Sequence, residues 1–334
     1  MKVTTKIENL KNYKKLLKLK NGIKSFFDAK GYLELELPVM SPVLIPESYI
    51  EIFKTQFIYF DQKQDFYLTS SPELFIKRLI AKGVKNCYYL GKAFRNSEPN
   101  SDRHSPEFMI LEFYNVPADY RDVESTMLEL FQHLSQILYK SNGFSYHGKK
   151  ISVEKFERLS VTEAFDKYAN IDEKTLLDEN LFVAAAKDKG YVIKNSTYED
   201  LFSQIYTQEI EPNLGVNGFP TVIYDYPIAF APLCKPNPDG KTAQRFEIYI
   251  SGVELGNCYN ELTDWKILQK RFKKEAQLRK DKNMISHKID YDFIEVMKKD
   301  LPPYSGIAVG VERLAMVFGD VDAIEKLQLI TNSL

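Results

Sequence analysis

The sequence contains few cysteines and no long apolar run. Cys87, Cys234 and Cys258 lie far apart among 334 residues, and no C-x-x-C pair occurs. This spacing argues against a disulfide framework or a zinc knuckle and favours a reducing compartment, so we predict a cytoplasmic protein. No segment approaches the ~20 apolar residues that a transmembrane helix needs, and no signal-peptide pattern follows the lysine-rich amino terminus. We therefore expect no membrane partner.

The common glycine-rich phosphate-binding motifs are absent too. Neither G-x-x-x-x-G-K-S/T nor G-x-G-x-x-G occurs, so a nucleotide must be held by another arrangement. The composition is otherwise ordinary, with 44% apolar and 27% charged residues, which excludes disorder, collagen and coiled coil. A chain of this length can bury roughly 75% of its surface, so a large core forms without disulfide staples.

Positive charge is concentrated in two segments, although the formal net charge is −1. Residues 1–24 contain eight lysines against Glu8, and residues 266–288 contain nine basic residues against Glu275 and Asp281. The rest of the chain is therefore acidic. Such segments either steer an acidic partner toward one face or are simply solvated helix faces.

Hydrophobic periodicity predicts helices and strands without regular β-α-β alternation. Apolar residues at helical spacing indicate a helix over residues 9–29, which Gly31 ends. Strict alternation over residues 32–37 indicates a half-buried strand that Pro38 stops. We therefore predict an α+β fold with an antiparallel β-sheet flanked by helices. The remaining predicted helices cover residues 72–82, 121–140, 161–169, 198–210, 265–281 and 312–318, and the remaining strands residues 86–94, 106–116, 219–226, 244–250, 252–255 and 307–309.

A cationic hairpin is the first group of residues that suggests chemistry. Arg95 ends one predicted strand, Arg103 and His104 end its connecting loop, and Phe108 begins the return strand. Guanidinium groups match phosphate oxygens, and a flat ring can stack on a base. The alternative is a solvent-exposed charged hairpin without a ligand.

Three glutamates at a spacing of seven form the second group. Glu247 and Glu254 can approach each other across a predicted hairpin, and Glu261 follows. Two carboxylates repel unless a cation intervenes, and Mg²⁺ bridging substrate phosphates would supply one. Alternatively, Glu247 and Glu254 point into solvent from the surface of a sheet and bind no metal. Near the end of the chain, the small residues of segment 306–311 would let a strand pack closely beside a helix that begins with Arg313.

The order of these segments resembles the class II aminoacyl-tRNA synthetases. Residues 31–38 resemble motif 1, a dimer-interface helix and strand that end in a proline. Residues 94–112 resemble motif 2, and residues 310–313 resemble motif 3. The resemblance implies the class II catalytic core and a homodimer formed through motif 1.

Within that class, the residues around Glu247, Glu254, Asn257 and Glu261 are similar to lysyl-tRNA synthetases. A full lysyl enzyme carries an anticodon-binding OB domain before motif 1, whereas the motif 1 proline here is Pro38. We therefore expect a single catalytic domain over residues 1–334, with a helical insertion at about 118–212 and no OB domain. This organisation resembles the elongation factor P lysine ligases, paralogues that attach lysine or (R)-β-lysine to a lysine of that factor.

Two departures favour the paralogues over the tRNA enzymes. The segment Ile45-Pro46-Glu47-Ser48-Tyr49 has no glycine where lysyl-tRNA synthetases carry a Gly-Gly-Ala stretch that contacts the α-amino group. Ala308 stands where the tRNA enzymes have glycine. Both changes would reshape the amino-acid pocket near the α-carbon.

The resemblance implies that ATP and Mg²⁺ activate the amino acid as an adenylate. Arg95, Arg313 and Glu254 are the implied catalytic residues, and Glu247 and Glu254 the implied Mg²⁺ ligands. The implied ATP-binding residues are Arg95, Glu98, Arg103, His104, Phe108, Glu247, Glu254 and Arg313. The implied substrate-binding residues are Ser71, Glu73, Glu112, Tyr114, Asn257, Glu261 and Ala308.

Elongation factor P is the expected protein acceptor, and tRNA is not expected to be one. Three other activities stay open: a minimal enzyme that charges tRNA, an amino-acid ligase that forms a free amide, and a non-catalytic regulatory paralogue. The last is disfavoured because Arg95, Glu247, Glu254 and Arg313 are all present.

Overall fold

A computed structural model of the chain has the predicted α+β fold, and it describes residues 2–97, 101–194, 196–231 and 233–333. Glu98, one of the predicted ATP-binding residues, lies outside the described residues. The helices are α1 (Leu10–Ala29), α2 (Glu73–Ile80), α3 (Tyr120–Tyr139), α4 (Val161–Ala164), α5 (Glu173–Leu176), α6 (Glu179–Asp188), α7 (Tyr198–Ile205), α8 (Trp265–Asp281), α9 (Tyr291–Val296) and α10 (Val311–Phe318). The strands are β1 (Lys2–Thr5), β2 (Leu33–Glu34), β3 (Met40–Ser41), β4 (Lys54–Tyr59), β5 (Gln62–Leu68), β6 (Cys87–Phe94), β7 (Glu107–Asn115), β8 (Gly143–Tyr146), β9 (Lys149–Ser152), β10 (Glu157–Ser160), β11 (Thr221–Pro227), β12 (Thr242–Ile250), β13 (Val253–Asn260), β14 (Ser305–Gly310) and β15 (Ile330–Ser333).

The chain divides into two compact units. The first comprises Met1–Asp119 and Leu262–Leu334, and the second comprises Tyr120–Glu261. The organisation expected above, one catalytic domain with an insertion at about 118–212, stays a prediction. Across the described ranges, no helix has both the length and the apolar character needed to cross a bilayer.

In the first unit, four strands pair in the order β14-β7-β6-β2. The β6–β7 hairpin is antiparallel with Phe94 opposite Glu107, which confirms the two predicted strands around the charged connector. Strand β14 adds antiparallel to β7, and β2 adds parallel to β6. Buried aromatic rings join α1 to this sheet, with Phe27 stacked on Tyr88 at 4.8 Å between ring centroids.

The strand predicted for residues 32–37 is shorter than expected. Only Leu33–Glu34 form a strand, and Leu33 is 53% exposed although its predicted face was the buried one. Tyr32 and Leu35 are the buried side chains, three residues apart rather than two. The Tyr32 hydroxyl donates to Asn115 Oδ1 at 2.5 Å, so a tertiary hydrogen bond sets which face is buried and overrides the alternation.

In the second unit, four strands pair in the order β10-β11-β12-β13. The β10–β11 pair is parallel, and the other two pairs are antiparallel. The predicted hairpin turn is confirmed, because Ser251 and Gly252 connect β12 to β13 with φ of +50° and +71°. Positive φ at both central residues is the two-residue turn that matches strand twist.

Short helices pack together within the second unit. The helix predicted for residues 161–169 is α4 followed by a π-helical turn, Phe165–Ala169. The helix predicted for residues 198–210 is α7 followed by the π-helical turn Tyr206–Ile210. Phe165 and Phe202 stack at 4.9 Å between centroids in a shared buried cluster, which orders the ends of both helices.

Candidate functional site

The β6–β7 hairpin brings Arg95 and Phe108 together. Phe108 lies opposite Ala93 in the ladder, and the backbone N–H of Arg95 donates to the Pro106 carbonyl at 2.9 Å. The Arg95 guanidinium lies 5.3 Å from the centroid of the Phe108 ring. Its Nε is buried and donates no hydrogen bond within the described part of the chain. This arginine is therefore oriented and has a donor to offer an anionic ligand.

The start of α10 joins Arg313 to the connecting loop of the same hairpin. Arg313 Nη2 lies 2.7 Å from His104 Nε2, and Arg313 Nε donates to the Arg103 carbonyl at 3.1 Å. Both carboxylate oxygens of Glu312 accept from the Met109 N–H at 2.9 Å and so tie α10 to β7. Three of the predicted ATP-binding residues, Arg103, His104 and Arg313, thus lie together.

Glu112 forms the centre of a carboxylate-rich pocket. Its side chain is buried on β7, where Oε2 accepts from Ser71 Oγ at 2.8 Å and Oε1 from the Tyr114 hydroxyl at 3.0 Å. Ala308 on β14 lies directly opposite Glu112. Burial, and then the nearby charge of Glu73, raise the pKa of Glu112 to about 8. A cationic ligand would restore the ionised form.

A glycine allows Tyr114 to reach Glu112. A Cβ at Gly306 would lie 2.3 Å from Tyr114 Cε1, so only a glycine leaves room for the ring across β14. This contact confirms the close packing that the small residues of segment 306–311 predicted.

Glu73 begins α2 beside this pocket. It forms an ion pair with Lys77 one turn later, and its N–H donates to Ser71 Oγ at 3.1 Å. Ser71 and Glu73 line a small cavity together with Ile45 and Glu47. Glu47 was not among the predicted site residues, and the one signal for it was its place in the segment that lacks glycine. The structure therefore brings five predicted substrate residues of the first unit together: Ser71, Glu73, Glu112, Tyr114 and Ala308.

In the second unit, Glu247 is held by a dense set of partners. It is buried, forms an ion pair with Arg245, and accepts at Oε2 from the hydroxyls of Tyr226 at 2.6 Å and Tyr249 at 2.7 Å. Its charge is already balanced by Arg245. A metal ion bound at Glu247 would therefore need a second carboxylate to neutralise most of its positive charge.

Glu254 can supply that carboxylate because of a β-bulge. Glu247 lies opposite Asn257, whereas Tyr249 lies opposite Glu254, with an irregularity between Ile248 and Tyr249. The extra residue on β13 changes the alternation, so Glu254 and Asn257 share the sheet face of Glu247 despite a spacing of three. Asn257 Oδ1 accepts from Arg245 Nε at 3.1 Å.

Two carboxylates on one sheet face fit Mg²⁺ that is completed by phosphate oxygens. Mg²⁺ typically uses one or two carboxylates together with substrate phosphates rather than an all-protein cage. The described residues contain no group of three His, Cys, Asp or Glu side chains arranged to hold a metal. Glu261 follows β13, is buried, and forms an isolated bridge with Cys234. The roles of these residues stay predictions.

The predicted basic helix is confirmed as α8. Five lysines, Lys266, Lys270, Lys273, Lys274 and Lys280, are exposed on it. Arg279 is buried and pairs with Glu51, so not all the positive charge of segment 266–288 is exposed to solvent.

Comparison with known proteins matches the model of the family "tRNA synthetases class II (D, K and N)" over residues 3–332. The chain is 32% identical over 312 residues to the lysine–tRNA ligase of Carboxydothermus hydrogenoformans, covering 92% of this chain and 62% of that protein. It is 31% identical over 315 residues to the enzyme of the same name from Staphylococcus haemolyticus, covering 93% and 62% respectively. The chain thus spans less than two thirds of the length of these relatives. Because the family model matches nearly the whole chain, the chain belongs to the class II tRNA synthetase family of the D, K and N type.

Proposed function

We propose that this protein activates lysine or (R)-β-lysine with ATP and transfers the aminoacyl group to a lysine of elongation factor P. The observation that carries the first half is the buried carboxylate of Glu112, with the half-buried carboxylate of Glu73 near it. In the same unit, the buried Nε of Arg95 has no hydrogen-bond partner among the described residues. An amino acid with a terminal ammonium meets both requirements. An unpaired ammonium in a closed pocket would be strongly disfavoured, so the carboxylates select for it.

Activation joins the substrate carboxylate to the α-phosphate of ATP. A carboxylate oxygen attacks the α-phosphorus, the bond to the bridging oxygen breaks, and pyrophosphate leaves with its electron pair. Arg95 would hold the α-phosphate and the substrate carboxylate, while Arg103, His104 and Arg313 would hold the β- and γ-phosphates. Phe108 would stack on adenine. Positioning and charge neutralisation are what such chemistry demands of a protein.

Mg²⁺ would be held by Glu247 and Glu254 and would supply charge neutralisation at the phosphates. Glu112 and Tyr114 would bind the side-chain ammonium, and Ser71 and Glu73 the second amine. In the second step a lysine amine of the acceptor attacks the carbonyl carbon, the bond to AMP breaks, and an amide forms with release of a proton.

The choice of acceptor rests on the reshaped pocket and on α8. Ala308, opposite Glu112, and the glycine-free segment 45–49 both border the amino-acid pocket, which suits a substrate whose amine is displaced. The exposed lysines of α8 would attract an acidic protein. Charging of tRNA is the second candidate, because the curated relatives are lysine–tRNA ligases.

One experiment separates the candidates. Labelled lysine or (R)-β-lysine is supplied with ATP, Mg²⁺, elongation factor P and tRNA, and the products are resolved. Label on elongation factor P supports the proposal, and label on tRNA supports the second candidate. Label in a small amide indicates a free-amide ligase, and the absence of any adenylate would refute activation altogether.

Charge reversal on α8 should weaken acceptor modification. We expect Lys273→Glu with Lys274→Glu to lower the rate of elongation factor P lysylation by roughly tenfold, because steering by surface charge acts on the association rate. Lysine-dependent ATP–pyrophosphate exchange should be unchanged, since both lysines are exposed. Reversal of Lys149 and Lys150, exposed on β9 of the other unit, is the matched control. Unchanged lysylation in the α8 variant would refute α8 as the docking surface.

We also propose a homodimer formed through the motif 1 elements. Leu17 on α1, Leu33 on β2 and Met40 on β3 are 39%, 53% and 51% exposed, which leaves apolar surface for a partner. Sedimentation of the full chain should give twice the monomer mass, and Leu33→Glu should shift it toward the monomer. A monomer at micromolar concentration in the unaltered protein would contradict this proposal.

A further inference from the structure

Glu47 lines the cavity of the proposed amino-acid pocket. It belongs to the segment between β3 and β4, and it lines the same cavity as Ser71 and Glu73. The Tyr49 hydroxyl donates to Glu47 Oε1 at 2.8 Å. The carboxylate is thus oriented from within its own segment.

Helix α8 fixes the backbone around Glu47. Arg279 Nη1 donates to the Glu47 carbonyl at 2.6 Å, and Glu275 Oε2 accepts from the Ser48 N–H at 2.8 Å. Both side chains of α8 are buried. Because two buried charged groups on a helix hold consecutive residues of the segment, the Glu47 carboxylate is positioned before any ligand arrives.

The pocket holds more carboxylate than cation. Lys77 is already paired with Glu73, and Arg95 is directed to phosphate and substrate carboxylate in the proposed reaction. Burial and then the charge of Glu73 raise the pKa of Glu47 to about 7, with a further rise from Glu275 and an opposing effect of Arg95. Glu112 is the second carboxylate of this pocket whose pKa is raised by burial and by the charge of Glu73. Two cationic groups on one ligand would satisfy both.

We propose that Glu47 is a substrate-specificity residue whose carboxylate, beside Glu73, binds the amino group nearest the reacting carboxyl. The pocket then accepts a diamino acid: one ammonium at Glu112 and Tyr114, the other at Glu47, and the carboxylate toward Arg95. This inference rests on the proposed amino-acid activation. An amino acid that lacks the second amine leaves the half-buried carboxylate of Glu47 without a cationic partner, and sites that lose such a pairing discriminate against the ligand.

The test compares lysine with 6-aminohexanoate, which keeps the terminal amine and lacks the second one. ATP–pyrophosphate exchange is measured on the full chain with each compound. We expect Glu47→Gln to raise the KM for lysine roughly 10- to 100-fold, while the KM values for 6-aminohexanoate and ATP stay the same. Glu295→Gln is the matched control, because Glu295 is an exposed glutamate in a surface ion pair with Lys298.

The outcomes separate this inference from the proposed function. If the unaltered chain exchanges with lysine and Glu47→Gln keeps its full preference for lysine over 6-aminohexanoate, the role of Glu47 is refuted and the activation stands. If the unaltered chain exchanges with neither compound nor with (R)-β-lysine, the proposed function fails, and this inference fails with it.

A second measurement needs no variant and covers the case in which Glu47→Gln does not fold. In the unaltered chain, the preference for lysine over 6-aminohexanoate should fall as pH drops below about 7, where Glu47 gains a proton. Glu112 faces the amine that both compounds share, so its titration cancels in the ratio. A preference that is constant between pH 6 and pH 8 would overturn the assignment.

Discussion

Arg313→Ala should abolish adenylate formation, lowering lysine-dependent ATP–pyrophosphate exchange by roughly 10²- to 10³-fold, the usual effect of removing one preorganised donor from developing charge. Arg313 lies in the first turn of α10 against His104 and the Arg103 carbonyl, so its removal also frees the connecting loop. The loss should appear in kcat/KM for ATP. Arg313→Lys should recover only part of the activity, since lysine keeps the charge and loses the planar fork.

The control for Arg313 is an arginine outside the hairpin. Arg158 is 67% exposed and paired with Glu124 in the second unit, so Arg158→Ala should leave exchange unchanged. Thermal unfolding of each variant checks that the fold is intact. Exchange at close to the normal rate in Arg313→Ala would remove this arginine from the site.

Local patterns predicted the elements that carry the site. The β6–β7 hairpin, β12 and α8 fall within two residues of their predicted positions, because each combines a clear period with a definite turn or cap. Strand β13 was predicted too short, since it continues from residue 255 to Asn260. Asp264 caps α8 by accepting from the N–H groups of Lys266 and Ile267. The sequence therefore indicated which side chains share a hairpin or a helix end.

Contacts between residues distant in sequence determine the features of the site that local sequence patterns did not predict. The bulge near Leu255 places Glu254 and Asn257 on one face, although their spacing of three implies opposite faces. Glu47 enters the pocket because Arg279, 232 residues later, holds its carbonyl. The β4–β5 hairpin was not predicted at all, since residues 54–68 mix charged and aromatic side chains without a regular period.

Glu112→Gln should remove lysine activation and at the same time stabilise the unliganded protein. Loss of a buried charged partner for the ammonium costs about 2–5 kcal/mol, so the KM for lysine should rise by at least roughly 30-fold. The KM for ATP should change little, because Glu112 contacts Ser71 and Tyr114 rather than the arginines. Glu295→Gln again serves as the exposed control.

The stabilisation follows from the direction of the pKa shift. Glu112 has a pKa of about 8 in the folded chain against an ordinary 4.5, so the folded state holds a proton that the unfolded state has lost between these values. Its contribution to the free energy of unfolding is therefore present in full below pH 4.5 and is lost as pH rises to 8, at about 1.4 kcal/mol per pKa unit. A glutamine does not ionise, so Glu112→Gln loses no stability over this pH range. Its unfolding temperature should therefore exceed that of the unaltered chain most clearly at pH 8. Saturating lysine should reverse the order, because the ammonium stabilises only the protein that keeps the carboxylate. Equal unfolding temperatures at pH 6 and pH 8, with and without lysine, would show that Glu112 is not the buried acid that binds the substrate.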